Sequence, residues 1–199
     1  EVYKSLLQKI IKKDIFSINI SEINKVIEGH PYVKAARISN HYPNKIKIEI
    51  IEREPIAILK INPNIMIDKD GVILPDTDNF KNFDLPILTN FNFKEDSSFI
   101  GEKSKSIKIL ESIQWLANIE KNYNYLYQNL SELKITSYEE IELILSDYPT
   151  KIYLGQTKIE NRIKILKEFE KTLKPKNISD YSYLDMRYEN QIVVKERRS

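Results

Sequence analysis

The sequence predicts an α+β protein in two parts. A small helix-helix-strand-strand domain spans residues 1–54, and a mainly antiparallel β domain with two helices spans residues 55–199. Three observations predict it. From Lys45 to Ile50, isoleucine alternates with charged residues, and alternation with period two marks a half-buried strand. Apolar residues recur at helical spacing in stretches such as Ile159, Ile163 and Leu166. Asp70-Gly71 stands between two short apolar runs, a strong short-range hairpin signal.

Composition narrows the classes of function. The chain has 199 residues, 41% apolar and 30% charged, which suits a folded protein. Lys and Arg number 31 against 29 Asp and Glu, a net charge of +2. That balance leaves no electrostatic footprint for nucleic acid. No apolar run approaches the roughly 20 residues needed to span a bilayer, and no signal peptide is visible. There is no cysteine, which excludes disulfides and thiolate metal sites and fits an exported protein. The chain begins at Glu1 rather than Met, which predicts a fragment of a longer product.

Taken in order, Val2 to Lys12 reads as a helix with Leu6, Leu7, Ile10 and Ile11 on one stripe. Asp14 to Ile20 links it to a second helix, with Ser21 as N-cap, Ile23, Val26 and Ile27 inward, and Gly29 at its end. Val33 to Ile38 and Lys45 to Ile50 are strands joined by a turn at His41-Tyr42-Pro43-Asn44. Pro55 lacks a ladder donor and ends the regular pairing. Ile56 to Ile61 is a strand, and Met66 to Leu74 a hairpin turning at Lys69-Asp70-Gly71. Pro75 to Asp84 is irregular, with Phe80 and Phe83 as anchors. Leu85 to Leu88 reads as an edge strand because it contains Pro86. Thr89 to Glu102 reads as a loop. Ser104 to Lys121 is a helix with Ile107, Leu110, Ile113 and Leu116 inward. Leu130 to Thr136, Ile141 to Ser146 and Lys151 to Leu154 are strands. Thr157 with Glu160 forms a capping box for a helix that Pro175 stops. Tyr181 to Tyr188 and Ile192 to Lys195 are the last strands, around a turn at Glu189-Asn190-Gln191.

The search for reactive groups yields little, and no residue is assigned a catalytic, cofactor or metal role. His30 and His41 are the only histidines, and neither has a ligand spacing. Asp68-Lys69-Asp70-Gly71 lacks the later ligands of a calcium loop and reads as a turn. Glu139 and Glu140 are adjacent and would point apart on a strand. Glu52-Arg53-Glu54 is either a surface ion-pair cluster or a contact between the two parts. The best candidate is the last strand, where Ile192, Val193 and Val194 leave both faces apolar. At a sheet edge its free N–H and C=O groups accept a partner strand, with Lys195, Glu196, Arg197 and Arg198 guarding the outer end. An ordinary paired strand with a charged tail stays open beside that reading.

Several stretches together resemble a known family. Pro31-Tyr32-Val33, Pro43, Ile46 to Ile50 and Glu52-Arg53-Glu54-Pro55-Ile56-Ala57 resemble the POTRA domain of the bacterial FtsQ family, called DivIB in some bacteria. Ile67-Asp68 with Gly71, Leu85-Pro86-Ile87-Leu88, Leu154-Gly155 before a helix with Arg162, and Tyr183-Leu184-Asp185-Met186-Arg187-Tyr188 are similar to its β-domain motifs. The sequence departs from the family in two places. A strand before the first helix has no counterpart, and Asn190 or Gln191 replaces the usual glycine of the final turn.

The resemblance implies a single-pass inner-membrane protein whose membrane helix precedes this chain, with this portion periplasmic or extracellular. It implies a non-enzymatic divisome scaffold that binds proteins of the FtsB/DivIC and FtsL types and so helps control septal peptidoglycan synthesis. The partner strand would add beside Ile192, Val193, Val194 and Lys195. Arg187 and Tyr188 would give side-chain contacts, Arg187 through a bidentate fork to a carboxylate, and Glu189, Asn190 and Gln191 complete the expected interface. On this reading Tyr188→Ala, or a proline at Val193, weakens partner binding while the domain stays folded. Two other readings are a POTRA-type chaperone or transport module that binds unfolded clients, and a hydrolase using Glu139 or Asp185. The hydrolase would require a pocket with carboxyls of raised pKa.

Overall fold

The computed structural model describes residues 7, 19–41, 43, 45–61, 64–75, 84–91 and 99–197. Its first part contains helix α1 (Ile20–Glu28) and an antiparallel two-stranded ribbon of β1 (Val33–His41) and β2 (Lys45–Glu52). Ile23 and Ile27 of α1 and Val33 form a small core with Leu7, and Ala36, Ile38, Ile46, Ile48 and Ile50 of the ribbon pack against it. The alternation seen in the sequence thus sends its isoleucines to one side. The helix cap differs from expectation. Asn19 is the N-cap, and its side chain accepts the Ser21 N–H at 2.9 Å. Asn caps as well as Ser does, and taking the earlier residue adds Ile20 to the helix. Gly29 is the C-cap, as expected. The helix expected over Val2–Lys12 lies outside the described residues except for Leu7, as do Tyr42 and Asn44 of the turn and the anchors Phe80 and Phe83.

The second part is one nine-stranded sheet. Its strands are β3 (Pro55–Leu59), β4 (Ile65–Asp68), β5 (Ile73–Leu74), β6 (Ile87–Thr89), β7 (Leu130–Ile135), β8 (Ile141–Leu145), β9 (Lys151–Gly155), β10 (Tyr181–Asp185) and β11 (Val193–Glu196). The spatial order is β11-β10-β9-β8-β7-β6-β3-β4-β5. Most pairings are antiparallel; β3 with β6, β6 with β7, and β9 with β10 are parallel. The α+β class and the largely antiparallel sheet therefore agree with the sequence.

Strand β6 corrects the reading of Leu85–Leu88 as an edge. It lies inside the sheet, parallel to β3 on one side and β7 on the other. Pro86 sits just before the strand, where its missing N–H breaks no ladder, and its carbonyl accepts the Ile58 N–H at 3.0 Å.

Helices α2 (Ile107–Asn122), α3 (Asn124–Gln128) and α4 (Ile159–Thr172) complete the layer. Ile113 and Leu116 face inward as expected, but the buried stripe runs through Ile109 and Ile119, while Ile107 is exposed. The sequence offers apolar residues on both sides of this stripe, and only packing against the sheet selects the phase. Leu110 lies instead over the β4–β5 turn. A Cβ on Gly71 would come within 2.4 Å of its Cδ2, and Gly71 has φ +81°, so that turn needs glycine twice over. The short α3 has no counterpart in the sequence reading. The capping box at Thr157 is not formed. Lys158 is the N-cap in the left-handed region, so Glu160 falls one place too early to reach back.

Leu133, Leu143, Ile152 and Leu184 of the sheet share one core with Ile113, Leu116, Ile163 and Leu166 of the helices, which therefore cover a single face. Full burial of each such side chain contributes about 1.5–3 kcal/mol.

Candidate functional site

The two rims of the sheet differ. Beside β5, the segment following Phe99 closes the edge: the Ile73 N–H donates to the Glu102 carbonyl at 2.9 Å and the Gly101 N–H to the Ile73 carbonyl at 2.8 Å. At the other rim, β11 pairs with β10 alone among the described residues.

Alternation along β10 shows which groups of β11 face outward. The Met186 N–H donates to the Tyr153 carbonyl of β9 at 3.0 Å. A residue's N–H and C=O point to the same side of a strand and reverse at each step. Leu184 therefore also faces β9, while Tyr183 and Asp185 face β11. Their partners Lys195 and Val193 turn their backbone groups inward, to β10. The backbone N–H and C=O of Val194 point away from the sheet. Val193 and Val194 are 38% and 36% exposed.

The far end of β11 is fastened. Arg197, expected to guard the outer end, instead folds inward. Its Nε donates to the Ser179 carbonyl at 3.1 Å, its Nη2 to Thr150 Oγ1 at 3.0 Å, and its guanidinium lies over the Tyr148 ring, 5.4 Å from the ring centre. Its N–H reaches the Asp180 carbonyl, and Glu196 pairs with Lys176 at 2.6 Å.

A groove of about 440 Å³ adjoins the near end. Lys158, Ile165 and Phe169 form one wall, Met186, Tyr188 and Ile192 the other. Gly155 brings the walls together. A Cβ there would lie 2.6 Å from Arg162 Nη1 and 3.2 Å from Arg187 Cγ, and its φ is +75°. Arg162 donates to the Leu154 carbonyl and, at 3.1 Å, to that of Arg187, tying α4 to the loop before β11. Lys158 and Glu189 close one rim at 2.9 Å, and this pairing lowers the Glu189 pKa. Gly155→Ala is expected to cost about 1–2 kcal/mol from the left-handed backbone; urea unfolding measures it.

The expected residues fall into two groups. Tyr188, Glu189, Asn190 and Gln191 are exposed on the loop, Tyr188 at 53%, and Ile192 packs half-buried against the core beside them. Val193, Val194 and Lys195 form the edge. Arg187 departs from expectation, because its fork is already engaged within the chain. Its Nη2 and Nε donate to Asp185 at 2.6 and 2.9 Å, its Nη1 to Glu140 at 3.0 Å, and its guanidinium lies 5.2 Å from the Tyr153 ring centre. Arg187 thus fixes the loop rather than offering a fork. The groove residues Ile165 and Phe169 of α4 were missed, because an apolar residue on a helix reads as core until the neighbouring layer is placed.

These bonds hold the Asp185 carboxyl below the usual range, with Arg187 the main cause and burial opposing it. A lowered folded pKa contributes stability that is complete above the unfolded value and is lost as pH falls through the folded one. Amide signals of Met186 to Ile192 are therefore expected to hold from neutral pH down to the ordinary value of 3.8 and to shift in more acid solution. Arg187→Ala should bring that transition to higher pH, as followed by NMR. The direction at Asp185 is opposite to that of a general acid. Glu139 is exposed in an ion pair with Lys108. Among the described residues no group of three or more His, Asp or Glu is placed to hold a metal, and no helix is long and apolar enough to cross a membrane.

Fold and site together define a two-part α+β protein whose distinctive surface is an open strand edge beside a side-chain groove. Residues 54–195 match the family described as FtsQ/DivIB, C-terminal related, and residues 1–53 match the POTRA domain, FtsQ-type. The chain belongs to the FtsQ/DivIB family of cell-division proteins. It is 22% identical to the cell division protein FtsQ of Koribacter versatilis over 92% of this chain and 52% of that protein. It is 21% identical to the FtsQ of Geotalea daltonii, over 92% of this chain and 65% of that protein. With the cell division protein DivIB of Clostridium tetani it shares 30% identity, over 64% of this chain and 44% of that one. The chain thus spans between about half and two thirds of the length of the first two relatives.

Proposed function

We propose that this chain is the extracytoplasmic portion of a membrane-anchored, non-enzymatic divisome scaffold. Its task is to bind segments of FtsB/DivIC-type and FtsL-type proteins and so to help control septal peptidoglycan synthesis. The observation that carries this reading is the open edge of β11. A partner strand laid along it gains main-chain hydrogen bonds from a backbone that is already extended, while apolar side chains flanking that strand enter the groove beneath Tyr188. Arg197 and Arg162 hold the two ends of the edge in place before binding, which reduces the ordering cost. Membership in the cell-division family supports the pathway.

The direct test places photocrosslinkers at Ile192 to Lys195 and presents the partner's extracytoplasmic segment. Crosslinks along the β11 edge are expected, with none at matched positions in β5. Crosslinks confined to the first 54 residues would sink the reading. Tyr188 is a rigid, exposed anchor at the groove wall, so Tyr188→Ala is expected to weaken the complex by about 2 kcal/mol, read by calorimetry.

A further inference from the structure

The face of the β1–β2 ribbon turned away from α1 carries Arg37, Lys45 and Lys47 against the one carboxylate of Glu49. From Gly29 to Ile48 the sequence holds four Lys or Arg and both histidines, with no Asp or Glu. Strand register sorts these residues. Arg37 lies opposite Glu49, Ser39 opposite Lys47, and His41 opposite Lys45, and directly opposed residues share a face. Ala36, Ile38, Ile46, Ile48 and Ile50 take the other face, against the core. Arg37, His41, Lys45 and Lys47 are all exposed.

The single carboxylate on this face, Glu49, is engaged by Lys47 at 2.7 Å. Lys47 is the main cause that holds the Glu49 carboxyl below its ordinary range, with smaller contributions from Arg37 and His41. Lys34, at the ribbon's other end, is neutralised by Asp70 at 2.8 Å. Arg37 and Lys45 form no salt bridge with any described residue. Residues 1–54 hold ten Lys and Arg against seven Asp and Glu, whereas residues 55–199 hold twenty-one against twenty-two. The small overall charge therefore conceals a basic first part.

We propose that this ribbon face docks on the surface of an anionic lipid bilayer. The cations are spread over two coplanar strands, matching a plane of phosphate headgroups rather than a single pocketed anion. Ile51, on the same face and 62% exposed, supplies an apolar contact for the headgroup region. A single-stranded nucleic acid would call for stacking aromatics between the cations, and the described residues of this face include none. The inference concerns a different part of the molecule from β11 and stands apart from the strand-addition reading.

The test is co-sedimentation of the whole chain with phosphatidylcholine vesicles, with and without one-third phosphatidylglycerol. Binding only to the anionic vesicles is expected. It should weaken as ionic strength rises from about 0.01 to about 0.15 M, where the Debye length falls from about 30 to about 8 Å. Removing each cation by Arg37→Gln, Lys45→Gln or Lys47→Gln should weaken it roughly fivefold. The pair Lys121→Glu and Lys164→Glu, exposed on α2 and α4, alters charge elsewhere and should weaken it less than the ribbon pair Lys45→Glu and Lys47→Glu. Circular dichroism checks that each variant is folded. Equal pelleting with neutral vesicles, or an equal loss from the two pairs, would overturn the proposal. So would short duplex DNA that binds the ribbon more tightly than the vesicles do.

Discussion

Proline in place of Val194 is expected to weaken binding of the partner segment roughly tenfold to a hundredfold while the β domain stays folded. The N–H of Val194 points out of the sheet, so proline removes a donor that the chain's own ladder does not use. The partner loses one hydrogen bond, and its opposing carbonyl is left buried without a donor. Together these cost about 1.5–3 kcal/mol. Proline is tolerated at a sheet edge when its missing N–H faces outward. The same change at Val193 acts differently, because that N–H faces Asp185 of β10. Val193→Pro should lower stability first and binding only as a consequence. Calorimetry with the partner segment and urea unfolding of both variants separate the two effects. A Val194→Pro variant that binds as well as the original would exclude strand addition here.

Asp68→Ala is expected to lower stability by about 2–4 kcal/mol, the largest single-residue loss foreseen outside the apolar core. The Asp68 side chain is only 4% exposed and serves two structures at once. Its Oδ1 accepts the N–H groups of Asp70 at 2.9 Å and Val72 at 2.8 Å, which closes the β4–β5 turn. Its Oδ2 takes Arg53 Nη1 at 2.7 Å, joining the connector after β2 to the large sheet. Truncation leaves the Val72 donor buried without a partner and a mostly buried guanidinium with only Asp70, at 3.3 Å. Asp68→Asn keeps an acceptor for the turn and should lose less. The difference between the two variants, measured by chemical denaturation, isolates the turn from the ion pair. Equal losses would show that the turn bonds contribute nothing.

That ion pair also illustrates what could be read in advance. Arg53 stood in a charged cluster that fitted either a solvated surface or a contact between the two parts. Its partner lies fifteen positions away across a hairpin, and only strand pairing brings the two together. Tyr32 adds to the same junction by donating to the Pro75 carbonyl at 2.9 Å. The hairpin itself was legible, since Asp70-Gly71 between apolar runs has few other local solutions.

The candidate site was legible in part. Two adjacent valines near the end of the chain pointed to a strand with no clear inner face, and the family likeness pointed to the same residues. The occupied fork of Arg187 was not legible, because Glu140 is far away in sequence and meets it only where the ends of β8 and β10 come to the same rim. The wrong placing of β6 has a similar origin. A proline beside a short apolar run says that one donor is missing, not which neighbours the following residues will find.

By itself the sequence determined the local structure: the ribbon with its isoleucines on one side, the glycine turns, the α4 stripe and the α+β class. These follow from bond geometry and from periodicity within one segment. Only the tertiary structure decided the strand order, the phase of α2, the groove beside Tyr188 and the outward direction of the Val194 backbone. Each depends on which distant segment takes up a given hydrogen bond or covers a given face, and that choice is made by packing the whole chain at once.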